Sequence, residues 1–434
     1  MLRKNLKCTL LLMTAATVLV LAGCGNKQED TPVVTPTVTV APTATPEPTM
    51  ALQETVTPVP TNTPTPTVAP EDASLKDLCA GYFKLGVGIN GSTLQNLTLH
   101  SEEYMALAKQ HFNSVTLSNL MKSCYILKQD ASIKNAKEGD GTPVLTYESI
   151  DPTLQWCMDN GVGMRGHTLV WHTQAPDWFF REGYTNDGAY VDKETMLFRM
   201  ESYIKQLMTH VQDEFPGVVY CWDVVNEAVD PGSADPNTDF GCRTMHGEGE
   251  ANPWYVTIGP EYVEMAFTYA RKYAADGVKL FYNDFNTYQS DKREYIYTLC
   301  KGLKEKGLID GIGMQGYWGI DYPSMTTISS TLARFGELDL EIHITELSIG
   351  VDEETEEQFE AQAKAYSNVF FTIRNKDLEG GGNANITCVT VFGLIDHYQP
   401  GDTTNARLFD ANYQPKPAYY KVYNMFKSTY KIVE

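Results

Sequence analysis

Two glutamates stand where a lone charge is costly. Glu227 closes the run Trp222-Asp223-Val224-Val225-Asn226, and Glu346 closes Ile342-His343-Ile344-Thr345. A carboxylate that ends an apolar strand needs a partner or a task. Two such groups facing across one pocket can cleave a glycosidic bond: one protonates the departing oxygen while the other attacks the anomeric carbon or activates water. A separation of about 5 to 5.5 Å gives retention through a covalent glycosyl-enzyme and a clearly wider one gives inversion, a choice that spacing along the chain leaves open. The plain structural alternative is a buried salt bridge from either glutamate to Lys122 or Arg165.

The elements that must position this pair are short β-branched or aromatic runs alternating with helical stripes. Strands are expected over 85–90, 112–119, 163–171, 218–228, 279–286, 311–318, 340–349 and 388–396. Between them, Leu197, Met200, Ile204, Leu207 and Val211, or Phe359, Ala363, Tyr366 and Phe370, recur at helical spacing. Eight strand–helix units imply an α/β fold with a parallel sheet, and this length favours a closed (β/α)8 TIM barrel with insertions. An open nucleotide-binding sheet would need a Gly-rich phosphate turn after its first strand, and none follows the run 85–90.

A barrel places its chemistry at the C-terminal ends of its strands. There the sequence supplies Asn119 and Lys122, then His167, Trp171 and His172, then Asn226 with Glu227, Asn283 and Asp284, Gln315 and Tyr317, Glu346, and Phe392. Any single His or Asn at such a place ordinarily satisfies a loop amide; the coincidence at seven consecutive strand ends points to a binding mouth. Trp171, Trp178, Tyr288, Tyr317, Trp318 and Phe392 fall on or just after strands, where flat faces can stack on sugar rings.

Composition narrows the partners. With 34 Lys+Arg against 55 Asp+Glu the formal charge is −21, which excludes a nucleic-acid groove. Hydrophobic residues at 42% and aromatics at 11% supply a large core. Setting aside Cys8 and Cys24, the cysteines at 79, 124, 157, 221, 242, 300 and 388 are odd in number and contain no C-x-x-C pair, so buried thiols are expected rather than a disulfide or zinc framework. The acidic run 352–357 is expected to open a helix, and the insertion 230–252 to form a loop beside the pocket. No metal and no cofactor is required by the chemistry.

The N-terminus is an address. Arg3, Lys4 and Lys7 precede an apolar run from Thr9 to Ala22, too short for a membrane span, so residues 1–23 are expected to be a signal peptide. The run ends Leu21-Ala22-Gly23-Cys24, which resembles a bacterial lipoprotein cleavage site with Cys24 as the lipidated residue. Residues 24–70 then form a linker, 31–70 alone holding 10 Pro and 13 Thr. No core can form there, and at ~3.1 Å per residue its extended reach is on the order of 140 Å. A monomeric domain over 71–434, lipid-anchored at the extracellular face of the cell membrane, is the expected organisation.

The stretches RGHTLVWHTQAPDW at 165–178, WDVVNEA at 222–228, FYNDFN at 281–286, GIGMQG at 311–316, ITEL at 344–347 and FDANYQPKPAYY at 409–420 resemble, in order and spacing, glycoside hydrolase family 10, the retaining endo-1,4-β-xylanases. That resemblance implies Glu227 as acid/base, Glu346 as nucleophile and Asn226 as the partner of the sugar 2-hydroxyl. It implies Asn119, Lys122, His167 and Trp171 as glycone contacts, with Gln315 supporting the carboxylates. The substrate it implies is a xylan-like polysaccharide or oligosaccharide. A β-glycosidase with shifted sugar specificity, or a glycan-binding surface lipoprotein with little turnover, are the alternatives.

The departures from the family pattern cluster where the sugar should sit. Ser118 replaces an acidic residue, Tyr317 a histidine, Ser348 an aspartate, and Phe392 with Gln399-Pro400 two tryptophans. The pocket is expected to be wider. Tyr317 is expected to donate its O–H to Glu346, which removes any histidine-like pH limb from this position.

Overall fold

The alternating runs become strands because one face of each is walled by its neighbours and the other by helices. The protein, seen as a computed structural model, is described over residues 73–89, 99, 101–247, 249–397 and 404–429. The expected signal peptide, Cys24, the Pro/Thr linker and Gln399-Pro400 lie outside the described residues. The barrel strands are β1 (Lys84–Ile89), β2 (Ser114–Leu117), β3 (Gly163–Trp171), β4 (Val219–Asn226), β5 (Lys279–Asp284), β6 (Gly311–Met314), β7 (Glu341–Ile349) and β8 (Asn385–Val391). Each pairs in parallel with the next, and β8 returns to β1 through registers such as Leu85↔Val389. The sheet is closed: a (β/α)8 TIM barrel.

Helices seal the outside with the stripes their spacing prescribes. The helix Lys193–Glu214, capped by the Asp192 carboxylate accepting from the Thr195 N–H at 2.8 Å, buries Met200, Ile204, Leu207 and Val211. The helix Glu356–Lys376 takes Thr355 as its cap, carries Glu356 and Glu357 in its first turn, and buries Ala363, Tyr366 and Phe370. The insertion folds into a short hairpin of Met245–Gly247 with Glu250–Ala251.

Strand ends differ from expectation in ways that matter for the mouth. The sixth run does not continue to Trp318. Its ladder stops at Met314 and resumes at Tyr317–Trp318, which pairs only with β7, Tyr317 opposite Ser348. The eighth begins earlier and ends at Val391, so Phe392 stands just beyond it. All described cysteines are free thiols; six are buried as expected, but Cys124 is exposed because it lies on the short helix Ser123–Ile126 at the rim.

Candidate active site

The C-terminal mouth of the barrel holds a cavity of about 320 Å³. Asn119, Lys122, His167, Trp171, Asn226, Glu227, Gln315, Tyr317, Glu346 and Phe392 all line it. The two glutamates therefore face one space, and neither is aimed into the packed interior.

Glu227 follows directly on β4 with a left-handed backbone (φ 56°), a conformation that non-glycine residues adopt rarely and that is kept where surroundings over-determine it. Its N–H donates to the Asn283 carbonyl at 2.9 Å, and its carbonyl accepts from Arg243 Nε at 2.8 Å. The carboxylate accepts from Trp171 Nε1 at 3.0 Å, Gln315 Nε2 at 2.9 Å and Asn226 Nδ2 at 3.2 Å. Burial first, then the negative charges of Asp284 and Glu346, push its pKa above the ordinary carboxylate value, although Gln315 and Trp171 oppose the shift.

Glu346, on β7, is held differently. Its Oε1 accepts from Asn283 Nδ2 at 3.0 Å and its Oε2 from the Tyr317 hydroxyl at 2.6 Å. Thr345 Oγ1 donates to Asn283 Oδ1 at 2.7 Å, which fixes the amide so that its NH2 points at Glu346 and, at 2.9 Å, at Asn226 Oδ1. Glu227, Asn226, Asn283 and Glu346 thus form one hydrogen-bonded chain across the mouth. Gly313 makes it possible: a Cβ there would stand 2.3 Å from Asn283 Oδ1 and 2.9 Å from Arg165 Nη2.

Tyr317 leans over the cavity with its residue surface 50% exposed, while burial of its hydroxyl end and the Glu346 charge push that hydroxyl well above its ordinary pKa. No titration near neutrality arises there. Phe392 packs edge-on against it, ring centroids 6.0 Å apart at 83°. Ser348, across the register, accepts from Arg407 Nη1 at 3.2 Å, and Arg407 also lines the cavity.

On the opposite wall, Lys122 Nζ donates to Asn119 Oδ1 at 3.1 Å and Gln174 Oε1 at 2.7 Å, and lies 4.6 Å from the Trp171 ring centroid. Burial lowers its pKa to about 8, partly offset by the charges of Glu346 and Glu227. His167 donates from Nδ1 to Asp223 at 2.9 Å, and Asp223 is itself paired with Arg165. Neither Lys122 nor Arg165 forms an ion pair with the glutamates, so the salt-bridge alternative does not describe the site.

Several rim residues stand elsewhere. His172 packs between the Trp171 and His246 rings, at 5.9 and 5.6 Å, outside the cavity, and burial with the Arg243 charge lowers its pKa to about 2. Asp284 pairs with Lys292 at 2.7 Å rather than facing the mouth. Trp178 packs into Phe179 and Tyr184, Tyr288 against Tyr322, and Trp318 is buried, so these three are core or loop aromatics rather than sugar platforms. Asn283 and Gln174 organise the carboxylates and Lys122 more directly than their sequence positions announced. Arg407 had no signal beyond lying two residues before the FDANYQ stretch.

The sequence profile described as Glycosyl hydrolase family 10 matches residues 74–425. A protein of Caldicellulosiruptor saccharolyticus is 45% identical over 312 residues, 69% of this chain and 95% of that one. Endo-1,4-beta-xylanase B of Butyrivibrio fibrisolvens is 38% identical over 355 residues, 80% of this chain; the chain spans 52% of that relative's length. Among solved structures, the CBM22-1-GH10 modules of a Clostridium thermocellum endo-1,4-beta-D-xylanase, complexed with xylohexaose, superpose with a TM-score of 0.74 at 34% identity, covering 84% of this chain and 70% of that one. With the barrel and its carboxylate mouth, these matches establish that the chain belongs to glycosyl hydrolase family 10.

Proposed function

We propose that this protein is a retaining endo-1,4-β-xylanase that cleaves β-1,4-xylosidic bonds in xylan by double displacement. The observation that carries this is that two glutamates with different hydrogen-bond partners face one cavity. Glu227 is pushed toward its protonated form by burial and like charge. Glu346 is held by the two neutral donors Asn283 and Tyr317. A carboxyl kept toward its protonated form suits the acid, and the carboxylate that shares its cavity and is oriented by Asn283 and Tyr317 suits the nucleophile. Glu227 protonates the leaving oxygen and later accepts a proton from water; Glu346 forms and releases the glycosyl ester. Asn226 meets the sugar 2-hydroxyl, Trp171 offers a stacking face, and Asn119, Lys122 and His167 hold the glycone. The resemblance to xylanases, one of them bound to xylohexaose, supports xylan as substrate.

The test is product analysis on xylan, glucan and mannan with residues 71–434, alongside Glu227→Ala and Glu346→Ala. The parent is expected to release β-configured xylo-oligosaccharides. Glu227→Ala should lose about 10²- to 10⁴-fold in rate on substrates with poor leaving groups, and Glu346→Ala should lose hydrolysis more completely. Digestion of xylan by both variants at the parental rate sinks the assignment.

We further propose that the domain is tethered outside the cell membrane through a lipid on Cys24, on the strength of Leu21-Ala22-Gly23-Cys24 and the Pro/Thr tract behind it. Labelling with a radioactive fatty acid in a bacterial host should mark the parent and not Cys24→Ala; equal labelling of both refutes it.

A further inference from the structure

We propose that Tyr317 is a positioning residue whose chief effect falls on the second displacement, where its hydroxyl receives the charge that returns to Glu346 as the glycosyl ester breaks. This rests on the proposed role of Glu346 as nucleophile.

The geometry is specific. The Tyr317 hydroxyl lies 2.6 Å from Glu346 Oε2, a length typical of a charge-assisted O–H···O⁻ bond. The ring is held from two sides: the backbone of Tyr317 pairs with Ser348 on β7, and Phe392 packs against the ring edge-on at 6.0 Å. The pairing with β7 also ties Tyr317 to the strand that carries Glu346, so the bond is preset and needs no rearrangement during turnover. The hydroxyl stays protonated through the working pH range, since burial and the Glu346 charge raise its pKa well above the ordinary value.

The two half-reactions use that bond unequally. A hydrogen bond to a full carboxylate charge is about twice as strong as one between neutral groups, so it is strongest in the free enzyme and weakest in the ester. In the first step the C1–O bond to the leaving group breaks, Glu227 gives that oxygen a proton, and Glu346 spends its charge in a new C1–O bond. The Tyr317 bond weakens as this proceeds and does not favour that transition state over the free enzyme. In the second step the C1–Oε bond of Glu346 breaks and its electron pair returns to the carboxylate. Water forms the new C1–O bond and passes a proton to Glu227. Here the Tyr317 bond strengthens toward the transition state, and only an interaction of that kind accelerates a step.

The experiment uses Tyr317→Phe, which keeps the ring and its packing, with 2,4-dinitrophenyl β-xylobioside. The variant is expected to release a burst of dinitrophenolate equal to the enzyme concentration, then to turn over about 10- to 100-fold more slowly than the parent. Its KM should fall in parallel, leaving kcat/KM within a few-fold of the parental value. Loss of fold or of binding would instead lower kcat/KM and give no burst. A variant with unchanged kcat, or with kcat and kcat/KM lowered equally and no burst, overturns the role of Tyr317. A parent that fails to release dinitrophenolate, or a Glu346→Ala that still shows the burst, overturns instead the assignment beneath it.

Discussion

The barrel holds acidic side chains in two settings, one in its interior and one at its mouth, and they behave as opposites. In the interior, Asp223 is paired with Arg165, accepts from Arg165 Nε at 3.0 Å and from His167 at 2.9 Å, and so finds a compensating donor on each side. Arg165 also meets His343 Nδ1, and His343 Nε2 contacts Thr387 Oγ1 at 2.8 Å, which ties β3, β4, β7 and β8 together. A few ladder steps toward the C-terminal rim, Glu227 and Glu346 receive, among the described residues, hydrogen bonds from the neutral donors Trp171, Gln315, Asn226, Asn283 and Tyr317, and Glu227 feels the charge of Glu346. Opposite charge turns burial into a strut; like charge with neutral donors turns it into reactivity. The difference lies in the Arg165 guanidinium, which reaches Asp223 and neither glutamate.

The comparison breaks most visibly at the strut. Asp223→Ala leaves Arg165 buried and unpaired, a change that costs about 3–5 kcal/mol. Thermal or denaturant unfolding should record that loss, while Glu346→Gln, which removes one of two like charges and keeps the shape, should leave the midpoint unchanged or raise it. Although burial alone would raise the Asp223 pKa, the Arg165 charge and the His167 hydrogen bond hold it below the ordinary value. A depressed folded pKa means the contribution is complete above the unfolded value, about 3.9, and drains as pH falls below it. The parent should therefore lose stability below about pH 4 more steeply than Asp223→Ala. Equal acid limbs, or a Glu346→Gln midpoint as low as that of Asp223→Ala, would show that the two clusters do not differ as described.

Much of this arrangement was legible in the sequence because period and position suffice for it. The third strand occupies 163–171 as its hydrophobic run implied, and Glu227 and Glu346 were conspicuous as charges against apolar runs, although β7 continues past Glu346 to Ile349. The Tyr317–Glu346 contact was foreseeable from the types of residue alone, since a phenol in place of an imidazole still offers a donor. What could not be read is direction after a strand ends. Trp178 and Trp318 sit close in sequence to mouth residues, yet turn into the core because the loops that follow β3 and β6 bend there. Asp284 follows Asn283 by one residue and therefore points the other way, to Lys292, a partner supplied by the helix Ser290–Glu305. Gln174, itself left-handed at φ 49°, joins Lys122 and Asn119 from the chain that follows β3. Such contacts depend on tertiary closure and leave no periodic trace.

The smallest effect concerns Lys122, a cation that shares the mouth with the two carboxylates. Lys122 pays for its burial with a pKa of about 8, near enough to working conditions that its charge is lost in mild alkali. Its Nζ is held by Asn119 and Gln174 and sits over the Trp171 ring, so the neutral amine keeps its place but loses the attraction to the ring face. That attraction is worth about 0.5–1 kcal/mol, or more where water is excluded. Because the folded value is lowered, the charged form prevails below about 8 and the neutral one above it. KM for xylo-oligosaccharides should accordingly rise about 2- to 5-fold as pH passes through that point, and the rise should persist at high salt because the pair is buried. In Lys122→Gln the KM should be high at every pH and the step should vanish. A parental KM that stays flat from pH 6 to 9 would mean that the Lys122 charge does not contribute to holding the glycone.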